Sequence, residues 1–173
     1  MVYKGKCWKF GDNLGIDGDI MPLRFALERE LNPMILKDYL LTKIDKDFPN
    51  KVSPGDIIVA GKRFGQGNPH IQGFLGIKGH KLGLVAESIP RGSFRNAINA
   101  GIPFLTNCND ITKKVNNGDT LEINFETGLF MNMSTDLKIE FKPLQTQLLN
   151  IIRNGGWKKS FEKRLQKEKI IQN

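Results

Sequence analysis

The sequence predicts a single α/β domain with a mixed β-sheet, spanning residues 1–173. Two short apolar runs, 57–60 and 82–86, are separated by a glycine-rich loop and a helical segment, which indicates a parallel strand crossover. Residues 120–126 alternate between apolar and polar with a period of two, as half-buried antiparallel strands do. A chain of 173 residues is long enough to bury one core, and it shows no internal repeat.

The first third of the chain predicts one strand followed by two short helices. Residues 3–10 are predicted to form a strand that leads into a turn. The segment 23–39 is compatible with a helix but is interrupted at Asn32-Pro33, so we expect two helices, the second from about Met34 to Leu41. Residues 48–55 contain prolines and a glycine, and we expect turns there.

The middle of the chain predicts strand, helix, strand and helix. The β-branched run 57–60 is bounded by glycines and is typical of a buried strand. A helix is expected to end over 74–80, where glycines disfavour a long one, and a second buried strand follows at 82–86. A further helix is predicted over 93–100, closed by Gly101 as its C-cap.

The last third predicts antiparallel strands and two helices. Strands are expected over 120–126, up to residue 133, and over 138–141. A helix from 144 to 152 should stop at Gly155-Gly156, and a basic helix should follow at about 157–170.

The net charge of +8 raises nucleic acid as a partner, so the placement of the charge matters. Much of it lies in the terminal helix, where Trp157, Phe161 and Leu165 form one apolar stripe. The cations on its back are Lys158, Lys159, Lys163, Arg164, Lys167 and Lys169. Such a face is usually only solvated, and an acidic partner surface or weak nucleic-acid contact are the alternatives. We therefore do not expect nucleic acid as a partner.

The apolar runs are far shorter than the roughly 18 residues of a membrane span, and the N-terminus lacks the apolar region of a signal peptide. We expect a cytoplasmic protein without membrane contact. The two cysteines, Cys7 and Cys108, form no C-x-x-C motif, so an iron–sulfur cluster or structural zinc bound by this chain is not expected. We interpret both as small buried residues.

The loop that follows the first buried strand, 61–71, is the candidate site. Gly65-Gln66-Gly67 is the first half of the dinucleotide-binding fingerprint G-x-G-x-x-G, but His70 occupies the place of the third glycine, where helix packing requires a small residue. Dinucleotide binding is therefore disfavoured. A cluster of backbone amides that holds a carboxylate or phosphate beside His70 remains, and a tight turn without a ligand is the alternative.

Three segments, in this order along the chain, resemble the swivel domain of the aconitase family. The segment 11–22 resembles the opening G-D-[ND]-x-x-T-D-x-I-x-P, and 56–67 resembles D-I-[IL]-V-A-G-x-x-F-G-x-G. The segment 88–104 resembles S-F-A-R-I-F-F-R-N-A-I-N-x-G-L-P-L. By length, the chain is similar to small subunits of the isopropylmalate dehydratase type.

The resemblance implies a swivelling domain with a barrel-like mixed sheet and flanking helices. It also implies that this chain acts with a large catalytic subunit that carries a 4Fe-4S cluster, while this chain itself binds no metal. The reaction would be the dehydration of a small 2-hydroxy acid related to malate or isopropylmalate, with this chain closing over the cluster.

The resemblance breaks down at the candidate site. Family members carry Ser-Ser-Arg where this chain has Asn68-Pro69-His70, so the serine that acts as base and the arginine that binds a substrate carboxylate are both absent. His70 is the candidate for base or carboxylate ligand, because histidine exchanges protons near neutral pH. Asn68 and the amides of Gln66 and Gly67 are expected to hold a substrate oxygen.

Further site residues follow from the other two segments. Asp17 or Asp19 matches the family's aspartate, which normally pairs with a histidine of the partner subunit. Arg24 lies where family members have a mobile loop that selects the substrate side chain. Arg91 and Ser93 lie at the predicted helix start, where amides favour anions, and Arg91 is preferred over Arg95.

The replaced loop leaves a second hypothesis open. A degenerate swivel domain would keep the fold and bind a carboxylate or a partner protein without catalysing a reaction. Both hypotheses predict the same fold, so only the site separates them.

Overall fold

The computed structural model describes the backbone of residues 1–171 and the side chains of residues 1–166. Seven strands form one mixed sheet in the order β4-β3-β2-β1-β5-β6-β7, which curls into a half-barrel. Strands β4 to β1 are parallel, and β1, β5, β6 and β7 are antiparallel. The bounds are β1 Val2–Lys9, β2 Ile57–Ala60, β3 Gly83–Ala86, β4 Phe104–Leu105, β5 Thr120–Asn124, β6 Leu129–Asn132 and β7 Leu137–Glu140. The predicted α/β class with a mixed sheet is confirmed. The two-residue strand β4 was not predicted from the sequence.

Seven α-helices flank the sheet in the described part of the chain: α1 Arg24–Leu27, α2 Pro33–Leu36, α3 Phe48–Lys51, α4 Gln72–His80, α5 Arg91–Ala100, α6 Thr146–Arg153 and α7 Trp157–Ile171. Short 3-10 helices follow at Lys37–Tyr39 and Ile111–Lys113. The second predicted helix changes to a 3-10 helix and ends earlier than expected, because the backbone becomes extended at Leu40. The sequence analysis expected turns over residues 48–55, and the structure instead has helix α3 over the first four of these residues. No helix within residues 1–171 is long and apolar enough to cross a membrane.

Strand β2 is buried on both faces, which explains why it is a continuous apolar run. Ile57 and Val59 belong to the core cluster on one face of the sheet, together with Cys7 and Cys108. Ile58 and Ala60 belong to the core cluster on the helical face. The site therefore lies at the end of a strand that is fixed from both sides.

The carboxylate of Asp56 fixes the start of β2 against β1. Its Oδ1 accepts the backbone N–H of Lys6 at 2.8 Å, and its Oδ2 accepts the indole N–H of Trp8 at 2.9 Å and the backbone N–H of Ser53 at 3.0 Å. Asp56 is buried without a cationic partner in the described residues, so these three donors satisfy its charge.

Helix α4 packs unusually close to α2 because Gly79 lacks a side chain. A Cβ atom built at Gly79 would lie 2.2 Å from the carbonyl oxygen of Pro33 and 2.9 Å from the Cβ of Lys37. The sequence analysis treated this glycine only as a weakness in a helix. The structure shows that it permits contact between the two backbones.

Substituting Gly79→Ala should destabilise the fold, although alanine is the better helix former. The gain in helix propensity is about 1 kcal/mol, whereas overpacking costs about 1–3 kcal/mol. Chemical denaturation should therefore show a lower free energy of unfolding. Gly11→Ala is the matched control, because no atom lies within 4 Å of its Cβ position. An equal effect of both substitutions would contradict the close packing.

The two cysteines are free and buried, as the sequence predicted. Burial raises the pKa of each thiol to about 12, and the nearby Asp119 adds to the effect at Cys7. Both thiols are therefore protonated across the neutral range, and only the thiolate is nucleophilic.

A disulfide reagent added to the native chain at pH 8 should react slowly with both thiols and rapidly after denaturation. Because the raised pKa keeps the thiols neutral below about pH 12, increasing the pH from 7 to 9 should accelerate the native reaction little. Rapid native reaction of either thiol in a colorimetric assay would contradict this burial.

Candidate functional site

The candidate site forms where the loop after β2 lies alongside the loop after β1. Their backbones are joined by hydrogen bonds from Asn13 N to Lys62 O at 2.7 Å, from Gly65 N to Leu14 O at 2.8 Å, and from Ile16 N to Gln66 O at 2.9 Å. We call this paired backbone of residues 11–16 and 61–66 the loop ladder. These hydrogen bonds fix where the residues that follow one loop lie relative to the residues that follow the other.

Side chains of the two loops strengthen the loop ladder. Asp12 Oδ1 accepts Lys62 N at 2.7 Å, and Arg63 Nε donates to Asn13 Oδ1 at 2.6 Å. A Cβ atom at Gly61 would lie 1.9 Å from Asp12 Oδ1, so only glycine admits the Asp12 side chain here. The G-D-N opening therefore forms a binding surface for the second loop.

The loop ladder brings Asp17 and His70 together as a hydrogen-bonded dyad. His70 Nδ1 lies 2.7 Å from Asp17 Oδ1, and the side chains are 37% and 25% exposed. An N–H donated from Nδ1 to the carboxylate leaves the lone pair on Nε2. Such a histidine is oriented to accept a proton from a ligand that approaches Nε2.

Asp19 does not share this role. Its Oδ2 accepts the backbone N–H of Gly15 at 3.0 Å, and its Oδ1 pairs with Lys43 Nζ at 2.8 Å. The hydrogen bond from Lys43 lowers the pKa of Asp19 most, and the bond from Gly15 adds to it. Of the two aspartates left open by the sequence, Asp17 therefore faces the histidine and Asp19 stabilises the loop.

The first turns of α5 support the 68–70 segment. Asn96 Nδ2 donates to the carbonyl oxygen of Pro69 at 2.6 Å, and His70 N donates to Asn68 O at 2.8 Å. Asn96 belongs to the R-N-A-I-N motif, but the sequence analysis gave it no role. Its effect depends on a contact across 27 residues that no local pattern reveals.

Two residues expected to contact the substrate form hydrogen bonds within the chain. Ser93 is 1% exposed, and its hydroxyl donates to the carbonyl oxygen of Gly65, so it supports the loop from the interior. The backbone N–H of Gln66 is directed at Leu14 O, and its side-chain amide donates to Asn13 O at 2.8 Å. In this structure both groups are bonded within the chain, and a contact from either group to a substrate stays a prediction.

Gly67 and Asn68 are exposed beside the dyad. Gly67 has a φ of 101°, and no atom lies within 4 Å of its Cβ position, so the segment is open toward solvent. A contact from the Gly67 amide and from Asn68 to a ligand stays a prediction.

The three arginines considered for the site differ in their positions and contacts. Arg24 lies in helix α1 rather than in an irregular loop, and its guanidinium stacks over Phe25 and Tyr39 with Cζ 4.7 and 5.0 Å from the ring centroids. Arg91 is exposed at the start of α5, and its role stays a prediction. Arg95, one helical turn later, lines a cavity of about 140 Å³ next to Pro69. The sequence analysis preferred Arg91 as the arginine that faces the site. The structure shows that the orientation of α5 places Arg95 beside Pro69.

Within the described residues, no three histidine, cysteine, aspartate or glutamate side chains form a group that could hold a metal ion. The candidate site in this chain consists of the Asp17–His70 dyad beside the exposed Gly67 and Asn68 and nearby cations.

No family model matches the chain. The chain is 42% identical over 156 residues to the isopropylmalate/citramalate isomerase small subunit of Methanocaldococcus jannaschii, covering 90% of each chain. It is 36% identical to the 3-isopropylmalate dehydratase small subunit of Thermodesulfovibrio yellowstonii, covering 98% of this chain and 99% of that protein. The crystal structure of 3-isopropylmalate dehydratase from M. jannaschii superimposes with a TM-score of 0.83 at 31% identity, covering 98% and 99% of the two chains. These similarities span nearly the whole fold, including both loops of the ladder, and the chain therefore belongs to the family of 3-isopropylmalate dehydratase small subunits.

Proposed function

We propose that this chain is the small subunit of a cytoplasmic, two-subunit hydro-lyase of the aconitase family, and that His70 is its base. The observation that carries the proposal is the 2.7 Å contact between His70 Nδ1 and Asp17 Oδ1. The family likeness supports the reaction class, while the dyad supplies a proton acceptor where the family's serine is missing. The dyad also pairs the aspartate with a histidine of its own chain rather than of the partner.

In the proposed reaction, His70 Nε2 removes a proton from the carbon next to a substrate carboxylate. The electron pair of that C–H bond forms the new double bond as the hydroxyl leaves the neighbouring carbon. Asp17 keeps the imidazole oriented and stabilises its positive charge once the proton has been accepted. A 4Fe-4S cluster in the large subunit would supply Lewis acidity at the departing hydroxyl.

We propose a small 2-hydroxy acid with a short hydrocarbon side chain as the substrate. The relatives' names point to isopropylmalate and citramalate, which are both of this class. The guanidinium of Arg24 lies over the rings of Phe25 and Tyr39, which hold this exposed cation in a position where it can help to select among such acids. With Arg95 beside Pro69, the chain still has a cation near the loop although the motif arginine is absent.

A second candidate function, a non-catalytic swivel domain, is favoured by the loss of Ser-Ser-Arg. The two candidates differ in what happens when His70 is replaced. A base is essential for turnover, whereas a binding residue contributes mainly to affinity.

In the enzyme assembled with the aconitase-type large subunit of the source cell, His70→Asn should lower kcat by about a hundredfold to ten-thousandfold, because general-base catalysis is worth that much. Asp17→Asn should lower kcat less, and the double variant should be no worse than His70→Asn, because the two residues act as a unit. Initial rates of dehydration of citramalate and isopropylmalate, measured against substrate concentration, test this.

Asp19→Asn is the matched control for these variants. It loses the exposed pair with Lys43, which is worth about 0–1 kcal/mol of stability, but it leaves the dyad untouched. Its kcat should equal that of the wild type. Unchanged kcat in His70→Asn would reject the base, and a His70→Arg variant with retained kcat and a lower KM would assign His70 to carboxylate binding instead.

Purified alone, the chain should be colourless and should not dehydrate either acid, because the proposed cluster resides on the large subunit. Visible absorption spectra and the same rate assay, before and after addition of the large subunit, provide the measurement. An iron–sulfur absorption band from this chain by itself would contradict the two-subunit proposal.

A further inference from the structure

The apolar stripe of helix α7 is not buried against the described part of the chain. Trp157 and Phe161 are 55% and 43% exposed, and their rings stack at 5.4 Å with planes 3° apart. An amphipathic helix is normally stabilised by burying its apolar stripe. A stacked aromatic pair that stays exposed on such a helix is therefore unusual. The sequence predicted the stripe, and the structure shows that α7 leaves it uncovered.

Three neighbouring surface pockets, which share lining residues, extend from the dyad loop to this stripe. The cavity beside Pro69 shares Arg95 and Asn99 with a larger one of about 550 Å³ between α5, α6 and the start of α7. That cavity shares Ile151 and Trp157 with a third one of about 150 Å³, which is also lined by Phe161. We call this surface the α5–α7 groove.

We propose that the α5–α7 groove is the docking surface for the large subunit, an inference that rests on the proposed function. The dyad is only half of a site in that function, so the partner must cover the 67–70 loop. The first pocket of the α5–α7 groove is lined by Pro69 of that loop, and the shared lining residues lead from it to the pocket lined by Phe161. A partner that closes over His70 therefore meets this groove next.

The composition of the groove matches that of a protein interface. Its centre contains Trp157 and the aliphatic Ile98 and Ile151, and tryptophan and arginine are the residue types enriched at binding hot spots. Its lining includes two cationic residues, Arg95 on α5 and Arg164 on α7. The complementary partner surface is apolar at its centre and acidic around it. A second copy of this chain fits less well, because two chains of net charge +8 would face each other with like-charged rims.

The affinity of the purified large subunit for this chain, measured by calorimetry or biolayer interferometry, tests the proposal. Trp157→Ala and Phe161→Lys should each raise the Kd about tenfold or more, because truncated or charged hot-spot residues cost that much. Higher salt should also raise the Kd, since the rim contacts are electrostatic. Met133→Ala is the matched control, because Met133 is 46% exposed but lies at the end of β6, and its Kd should be unchanged.

The test separates this inference from the proposed function. At saturating large subunit, Trp157→Ala should recover the wild-type kcat, whereas His70→Asn should bind normally and fail to turn over. If both groove variants bound the large subunit with the same Kd as the wild type, the docking surface would be overturned and the proposed function would still stand. Loss of binding by the wild type would overturn both. A dimer of this chain alone that Trp157→Ala dissociates, detected by light scattering, would assign the groove to a second copy.

Discussion

The loop ladder is the constraint on which the site depends. Each of its hydrogen bonds contributes only about 0.5–1.5 kcal/mol, but leaving its donors unpaired in a half-buried turn would cost more. Because the ladder fixes the register between residues 11–16 and 61–66, the next residues of the two loops meet in one arrangement. That arrangement places Asp17 against His70.

The rest of the fold holds the ladder from both ends. Asp56 anchors the start of β2 to β1, so the two strands that carry the loops leave the sheet side by side. Ser93 and Asn96 on α5 hold the second loop at Gly65 and Pro69. Parallel strands present their carboxyl ends at one edge, which is where open α/β sheets usually carry sites. The same helix α5 continues into the groove, so the supports of the dyad and the proposed docking surface share one element.

Relative to the family motif that the sequence resembles, Asn68-Pro69-His70 changes side chains, whereas the fold is shared with the solved relative. The loop keeps its backbone bonds through Gly65 and Gln66, and these are independent of residues 68–70. The Nδ1 atom of His70 lies 2.7 Å from the carboxylate oxygen Oδ1 of Asp17. Under the proposed function, this pair of residues takes over the proton transfer, which would reconcile the family likeness with the missing serine.

The sequence by itself determined the mixed sheet, the parallel crossover, the burial of both cysteines and the family, because these depend on local periodicity, glycine positions and motif order. It also singled out His70 and narrowed the acidic partner to Asp17 or Asp19. Only the tertiary structure chose Asp17, which pairs across 53 residues, and gave Asn96 its role. It likewise assigned Ser93 and the Gln66 amide to support of the loop, and it showed that the apolar stripe of α7 lies outside the core. These outcomes depend on which groups meet across the fold, and the free energy of such contacts has no signature in the residues on either side of them.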